Sequence, residues 1–244
     1  MTNNTNIKGV ILAGGLGTRL YPLTKITNKH LLPIYDKPMI LYGIETLKNS
    51  DIEEVMIVCG REHAGHFMNF LGSGKEFGVK LSYAIQDKNN GGISDALMCA
   101  EDFADGASVA VILGDNIFEN NFSKEITNFK SGAMVFLKKV ADPHRFGVAV
   151  FDTTGKKLLT IEEKPKNPKS DFAQTGFYIY DANIFSNIKK IKPSARGELE
   201  ITDANNMYLE HGELNFAIVK GYWLDAGTFD SLLEASTVIA SKKK

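Results

Sequence analysis

Hydrophobic positions along this chain fall into short solid runs separated by stretches with helical spacing. Gly9-Val-Ile-Leu-Ala13, Glu54-Val-Met-Ile-Val-Cys59, Leu81 to Ile85 and Val109-Ala-Val-Ile-Leu113 are apolar almost throughout, the pattern of strands covered on both faces. Met39 to Lys48, Glu62 to Leu71 and Ile93 to Phe103 place apolar residues at helical intervals between them. This rhythm predicts an α/β fold, a doubly wound and mostly parallel (Rossmann-like) sheet with right-handed crossovers. Ligands on such sheets bind beyond the carboxyl ends of the strands, where the strand order reverses. Two loops leave such ends: Gly14 to Lys29 after the first strand, and Gly114-Asp115-Asn116 after the fourth.

The second half reads differently. Ala133 to Lys138, Gly147 to Phe151, Leu158 to Ile161 and Thr175 to Tyr180 are short strands set off by turn residues, a mixed or antiparallel extension. Ile201 to His211 is helical, Gly221 to Leu224 a short strand, and Thr228 to Ser241 a closing helix with Thr228 as its N-cap. No Pro/Ser-rich linker interrupts the chain, so 1–244 reads as one domain. Its parts are a first half (1–130), an extension (131–220) and a closing strand and helix (221–244).

Composition narrows the class. With 244 residues, 43% hydrophobic and 23% charged, the chain can bury a substantial core. A formal net charge of −1 gives nucleic acid no basic surface to bind. No apolar run approaches the ~20 residues of a membrane span, and no signal peptide pattern opens the chain. Cys59 and Cys99 sit in apolar contexts and read as buried thiols of a reducing compartment, here the cytoplasm. His63 and His66 have helical spacing but no third ligand nearby, and read as surface histidines.

The candidate chemistry begins at Leu12-Ala-Gly-Gly-Leu-Gly-Thr-Arg-Leu20, directly after a buried strand. Glycines at 14, 15 and 17 let backbone N–H groups approach a polyphosphate, and Arg19 adds a charge-assisted fork. The loop lacks the Gly-Lys-Ser/Thr ending of a P-loop and the G-x-G-x-x-G spacing of a dinucleotide fingerprint. Taken alone, it is weak evidence, the plain alternative being a tight strand-to-helix turn.

The loop and its continuation, Lys29-His-Leu-Leu-Pro-Ile-Tyr-Asp-Lys-Pro-Met39, resemble the glucose-1-phosphate thymidylyltransferases, a branch of the sugar nucleotidyltransferases. Leu113-Gly-Asp-Asn-Ile-Phe118, Glu162-Glu-Lys-Pro165, Lys192 to Asp203 and Trp223-Leu-Asp-Ala-Gly-Thr228 extend the resemblance over nearly the whole chain. It implies a fold of the nucleotide-diphospho-sugar transferase type. It also implies a reaction: dTTP or UTP and a sugar 1-phosphate, most simply glucose 1-phosphate, give a nucleotide sugar and pyrophosphate, with Mg²⁺ as cofactor.

The resemblance assigns roles residue by residue. Arg19 binds the triphosphate and stabilises departing pyrophosphate, and Lys29 supports it; without its flanking motif Lys29 is an ordinary loop lysine. Leu12, Gly14, Gly15, Gly17 and Thr18 line the nucleotide, together with Gly92 and Asp115. Gln86 reads the pyrimidine edge, since an amide offers a donor and an acceptor for N3–H and O4. Asp115 and Asp225 hold Mg²⁺, which needs one or two carboxylates plus substrate phosphate; the plain alternative for either is a helix N-cap. Lys164 grips the sugar phosphate, with Pro165 expected to keep it extended. Glu163, Phe146, Gly147, Gln174, Gly176, Arg196 and Trp223 surround the sugar.

Three positions depart from the family pattern. Asn89-Asn-Gly-Gly-Ile93 stands where an Asp-Gly is usual, Phe146 replaces a tyrosine and Gln174 replaces a valine. The two pocket changes suggest an amino- or deoxy-sugar phosphate as a competitor to glucose 1-phosphate. Only Ser241 to Lys244 follow the segment Ser231 to Ala240 that closes the sheet, which leads us to expect weak or no feedback regulation and a homodimer or other small homo-oligomer. Rival readings are another nucleoside triphosphate, another phosphate acceptor, or a non-catalytic nucleotide-sugar-binding regulator; the last would be expected to lose Arg19, Asp115 or Lys164.

Overall fold

The structure is a computed structural model that describes residues 7–88 and 91–243. The first half runs β1 (Ile7–Ala13), β2 (Pro33–Ile34), β3 (Lys37–Pro38), α1 (Met39–Lys48), β4 (Glu54–Gly60), α2 (Ala64–Leu71) and β5 (Lys80–Gln86). It continues through α3 (Gly92–Met98), α4 (Glu101–Ala104), β6 (Ser108–Leu113), β7 (Asn116–Phe118) and α5 (Ser123–Asn128). The extension comprises β8 (Ala133–Lys139), β9 (Gly147–Phe151), β10 (Leu158–Glu163), β11 (Phe172–Tyr180), α6 (Asn183–Ile188), α7 (Ile201–Glu210) and β12 (Leu214–Ile218). β13 (Trp223–Asp225) and α8 (Phe229–Lys242) close the chain.

β1, β4, β5 and β6 are parallel, with β1 between β4 and β6 and β5 outside β4. The strand order therefore reverses between β1 and β6, and the loops after these two strands leave the sheet side by side. β11 runs antiparallel to β6 and also pairs with β8 and β9, so the extension continues the same nine-stranded sheet.

Both faces of this sheet are covered, which explains the unbroken apolar runs. On β1, Val10 and Leu12 pack with Leu97, Tyr178 and Ala204 on one face. Ile11 and Ala13 pack with Ile44, Phe67 and Phe177 on the other. α8 seals a third cluster, in which Ala235 and Ile239 meet Ile34, Met39 and Ile117. Its start is fixed as the sequence suggests: the Thr228 hydroxyl accepts from Ser231 N, and Ser231 Oγ accepts from Thr228 N.

Several expectations are corrected. The helix read over Ile93 to Phe103 is two helices, because Cys99 and Ala100 tighten to bonds three residues back, onto Ala96 and Leu97. Cys99 is only partly buried, whereas Cys59 is buried; both are free thiols. α6 and the edge strand β12 escape the sequence reading, the first because it has only six residues. β13 lies outside the central sheet, pairing antiparallel with β7 so that Asp225 stands opposite Asn116. No helix among the described residues is long and apolar enough to cross a membrane.

Candidate active site

A cavity of about 650 Å³ opens over the carboxyl ends of β1 and β6, at the reversal point. Every site residue singled out in the sequence lines it except Arg196. The sheet order spreads these residues in a row. Gln86 ends β5, the glycine loop follows β1, Asp115 follows β6, Gln174 and Gly176 lie on β11, Gly147 opens β9 and Glu163 ends β10.

The glycine loop crosses back over the sheet end with Gly15 and Gly17 at φ +89° and +60°, which favours glycine. Arg19, in the 3-10 turn Thr18–Leu20, is exposed and reaches across Gly227 toward Asp225. A Cβ on Gly227 would stand 2.9 Å from Arg19 Nη2 and 3.0 Å from Asp225 Oδ1.

Lys29 opens a later 3-10 turn, Lys29–Leu31, capped by Asn28. The Asn28 side chain accepts from His30 N at 2.9 Å, pairs with His30 Nδ1 at 2.6 Å and donates to Ala13 O at 3.3 Å. This buried knot ties the turn to the end of β1 and directs Lys29 Nζ onto Asp115 Oδ2, 2.5 Å away. Burial, the largest single influence, pushes the Asp115 carboxyl up, but the Lys29 charge, His30 and the hydrogen bonds from Lys29 and Asn116 together hold the group below the usual carboxylate range.

Asp225 behaves oppositely. Burial, then the charge of Asp115, push it up to about 6, against the pull of Lys29, Arg19 and Arg145. A shielded carboxylate whose ionisation is opposed by a neighbouring one is suited to sharing a cation with it. Among the described residues, no group of three or more His, Cys, Asp or Glu side chains could hold a metal alone. A divalent ion at this pair would complete its shell with substrate phosphate and water, as magnesium commonly does. Neither aspartate caps a helix: Asp115 leads into β7, and α8 is capped by Thr228.

Asn116 is a hub that the sequence reading passed over. Its Oδ1 accepts from Gly176 N at 2.9 Å and from Trp223 Nε1 at 2.6 Å, and its Nδ2 donates to Asp115 Oδ1 at 3.0 Å. It thus locks β11, β13 and the acidic pair together. Trp223 in turn supports Phe146, ring centres 5.0 Å apart. Arg145, also passed over, lines the cavity with Nη2 3.9 Å from Asp225 Oδ2.

At the far end, Glu163 accepts from Thr202 Oγ1 at 2.6 Å and lies over Gly147, where a Cβ would stand 3.5 Å from its Oε2. Lys164 is not extended: its φ is +44°, because its N–H returns to Phe146 O at 3.0 Å and turns the chain after β10. The kink leaves its ammonium about half exposed, 3.7 Å from Glu163 Oε1. Arg196 is committed elsewhere, donating to Glu200 Oε2 at 2.7 Å and to Glu163 Oε1 at 3.1 Å. It braces Glu163 from behind the cavity. Gln86 gives its amide nitrogen to Asp95 Oδ2 at 2.9 Å and Gly92 O at 3.3 Å, leaving Oε1 over Gly14, so the donor-and-acceptor pair expected from the sequence is reduced to the acceptor alone. Of the altered Asn89-Asn90-Gly91-Gly92 stretch, Asn89 and Asn90 lie outside the described residues.

The chain matches known proteins over nearly its whole length. A glucose-1-phosphate thymidylyltransferase of Neisseria gonorrhoeae is 46% identical over 239 residues, covering 96% of this chain and 82% of its own. That of Mycolicibacterium smegmatis is 43% identical over 238 residues, with the same coverage. Among solved structures, a Bacillus anthracis protein described as a glucose-1-phosphate thymidylyltransferase, in complex with sucrose, superposes with a TM-score of 0.89 at 54% identity. It covers 95% of this chain and 94% of its own. A UDP-glucose pyrophosphorylase complexed with UDP-glucose gives 0.85 at 27% identity, over 97% and 99% of the two chains. The family model for nucleotidyl transferases matches residues 8–242, which takes in the glycine loop, the Asp115 and Asp225 pair and Lys164 alike: the chain belongs to the nucleotidyl transferase family.

Proposed function

We propose that this enzyme transfers a nucleotidyl group from dTTP or UTP to a sugar 1-phosphate, most simply glucose 1-phosphate, releasing pyrophosphate. The observation that carries this reading is the linear order of the site. Across the sheet come an amide at Gln86, a glycine loop with Arg19, the acidic pair, and then Glu163 and Lys164. Base, triphosphate, reacting phosphorus and sugar phosphate follow the same order.

The sugar phosphate oxygen attacks the α-phosphorus and pyrophosphate leaves in line. A phosphate monoester is mostly dianionic near neutral pH, its second pKa being about 6, so no general base is needed. The residues have two tasks, bringing like-charged reactants together and stabilising charge on phosphoryl oxygens. Lys164 holds the incoming phosphate, and Glu163 accepts from sugar hydroxyls. Arg19 and Lys29 meet the triphosphate, and Arg145, close to Asp225, adds a third cation to the same oxygens. Asp115 and Asp225 would hold Mg²⁺, which supplies charge neutralisation at the phosphates when bound.

The test is a pyrophosphate-release matrix of the common nucleoside triphosphates against a panel of sugar 1-phosphates. Turnover concentrated on dTTP and UTP with a hexose 1-phosphate is the expected result. ATP or GTP as best donor would refute the base assignment, and binding without turnover would favour a regulator.

A further inference from the structure

Gln86 is 7% exposed, and the two ends of its amide face different surroundings. Nε2 donates to Asp95 Oδ2 at 2.9 Å and to Gly92 O at 3.3 Å. A carboxylate accepts and a backbone carbonyl accepts, so only the nitrogen end of the amide can face them. Turning the amide over would set Oε1 against two acceptors with no proton between, inside a nearly buried contact. Oε1 is therefore fixed over Gly14, where any side chain would collide with it. Both Gln86 and Gly14 line the cavity. Asp95 is placed from the first turn of α3, with its other oxygen 3.6 Å from Lys88 Nζ.

We propose that Asp95 is the positioning residue that sets base choice, by locking Gln86 with its oxygen rather than its nitrogen toward the base. This rests on the reading that the cavity takes a pyrimidine nucleoside triphosphate. Thymine and uracil carry an N3–H, which Oε1 accepts. Cytosine carries a lone pair at N3, which would face Oε1 with no proton between them. Gln86 cannot turn to accommodate cytosine without losing Asp95 and Gly92 O together. Selection against cytosine thus lies in the residue behind the reader. Gln86 alone is amphoteric and would serve either base.

The experiment measures kcat/KM for dTTP, UTP, dCTP and CTP with one sugar 1-phosphate, in the wild type, Asp95→Asn and Asp95→Ala. Asparagine can donate or accept, so Gln86 can turn while keeping its partner at 95 and giving up only the longer bond to Gly92 O; alanine removes the side-chain partner and favours the helix. We expect the wild type to prefer dTTP over dCTP by about 100-fold or more, since a mismatched buried polar group is left unpaired. In Asp95→Asn that ratio should fall at least about tenfold, mainly through gain on dCTP, with KM for the sugar phosphate little changed. A merely structural loss would lower both nucleotides together. Should Asp95→Asn fail to fold, the same drop in ratio is required of Asp95→Ala. An unchanged ratio in the folded variants overturns the proposal. A wild type that turns over neither dTTP nor UTP overturns the nucleotide assignment beneath it, and the wild-type data alone tell that failure apart.

Discussion

Lys29 Nζ and Asp115 Oδ2 meet at 2.5 Å across 86 residues of sequence, pinning the loop after β1 to the end of β6. Both side chains are largely shielded, at 14% and 11% exposure, so removing one strands a poorly hydrated charge. Lys29→Met should destabilise the fold by about 3–5 kcal/mol, the range for breaking a buried pair by removing one partner. Adding Asp115→Asn should return much of that loss, because no charge is left unpaired. A double-mutant cycle from denaturant midpoints measures the coupling; additive losses would mean the two residues act independently.

The acidic pair makes a separate prediction. Asp225, raised to about 6 by burial and by Asp115, gains most from a bound cation. Asp225→Asn or Asp115→Asn should reduce turnover by roughly 10²-fold or more while the melting transition persists. Wild-type turnover should vanish in excess chelator and return with Mg²⁺. Full activity in chelator would remove the metal from the mechanism.

Lys164→Ala should raise KM for the sugar phosphate selectively, by about tenfold or more, because the proposed order of the site puts the nucleotide on the other side of the reacting phosphorus. Steady-state kinetics with each substrate varied in turn decides this. An equal rise in KM for the nucleotide would move Lys164 out of the sugar end.

Legibility from sequence followed the physics of each feature. Val10 to Ala13 and Val109 to Ile112 are strands buried on both faces, so their unbroken apolar runs announced the sheet. The switch-point loops then followed from strand order. What escaped was set by tertiary contact. Asn116 reads as a loop residue beside an aspartate, and only the approach of Gly176 and Trp223 makes it a hub. Lys164 precedes a proline and reads as extended, until its N–H is seen returning to Phe146 O. β12 is an edge strand with no fully buried residue, and its weak pattern reflects that. Arg196 matched a motif, yet its guanidinium is spent on Glu200 and Glu163, a competition no motif reveals.

His30 gives a pH dependence with a definite sign. Burial first, and then the Lys29 charge, push its pKa down to about 3, far below the ordinary value. Between about 6.5 and 3 the unfolded chain binds one more proton here than the folded protein. Stability is therefore full above pH 6.5 and falls as pH drops, by roughly 1.4 kcal/mol per unit from this group. His30→Gln, which keeps a polar partner for Asn28, should shallow the acid limb of the stability curve by about one proton. Denaturant unfolding of metal-free protein from pH 7 to 4 checks it; parallel curves for the two proteins would count against a buried neutral histidine.

If the proposed sugar end is right, Gln174 bears on which sugar is preferred, and its hydrogen bonds argue for a hydroxyl rather than a deoxy or amino position. Tyr180, fully buried, must place its hydroxyl proton on an acceptor, and Asn205 Oδ1 lies 2.7 Å away. That orients Asn205 so that its Nδ2 donates to Gln174 Oε1 at 2.8 Å. The Gln174 nitrogen is then left with one long bond, 3.5 Å, to the Tyr178 hydroxyl. Among the described residues the Tyr178 hydroxyl donates to no acceptor, and both side chains line the cavity. The proposed sugar end therefore offers donors that want an oxygen. A deoxy position would leave them unpaired, and a protonated amine would add another donor against them. Glucose 1-phosphate analogues that are deoxy or amino at one position each should thus show one position where loss of the hydroxyl lowers kcat/KM by about 10- to 100-fold. Gln174→Leu should flatten that profile while still binding dTTP. A flat profile in the wild type, or an unchanged one in Gln174→Leu, would return the choice of sugar to the backbone around Gly147 and Gly176.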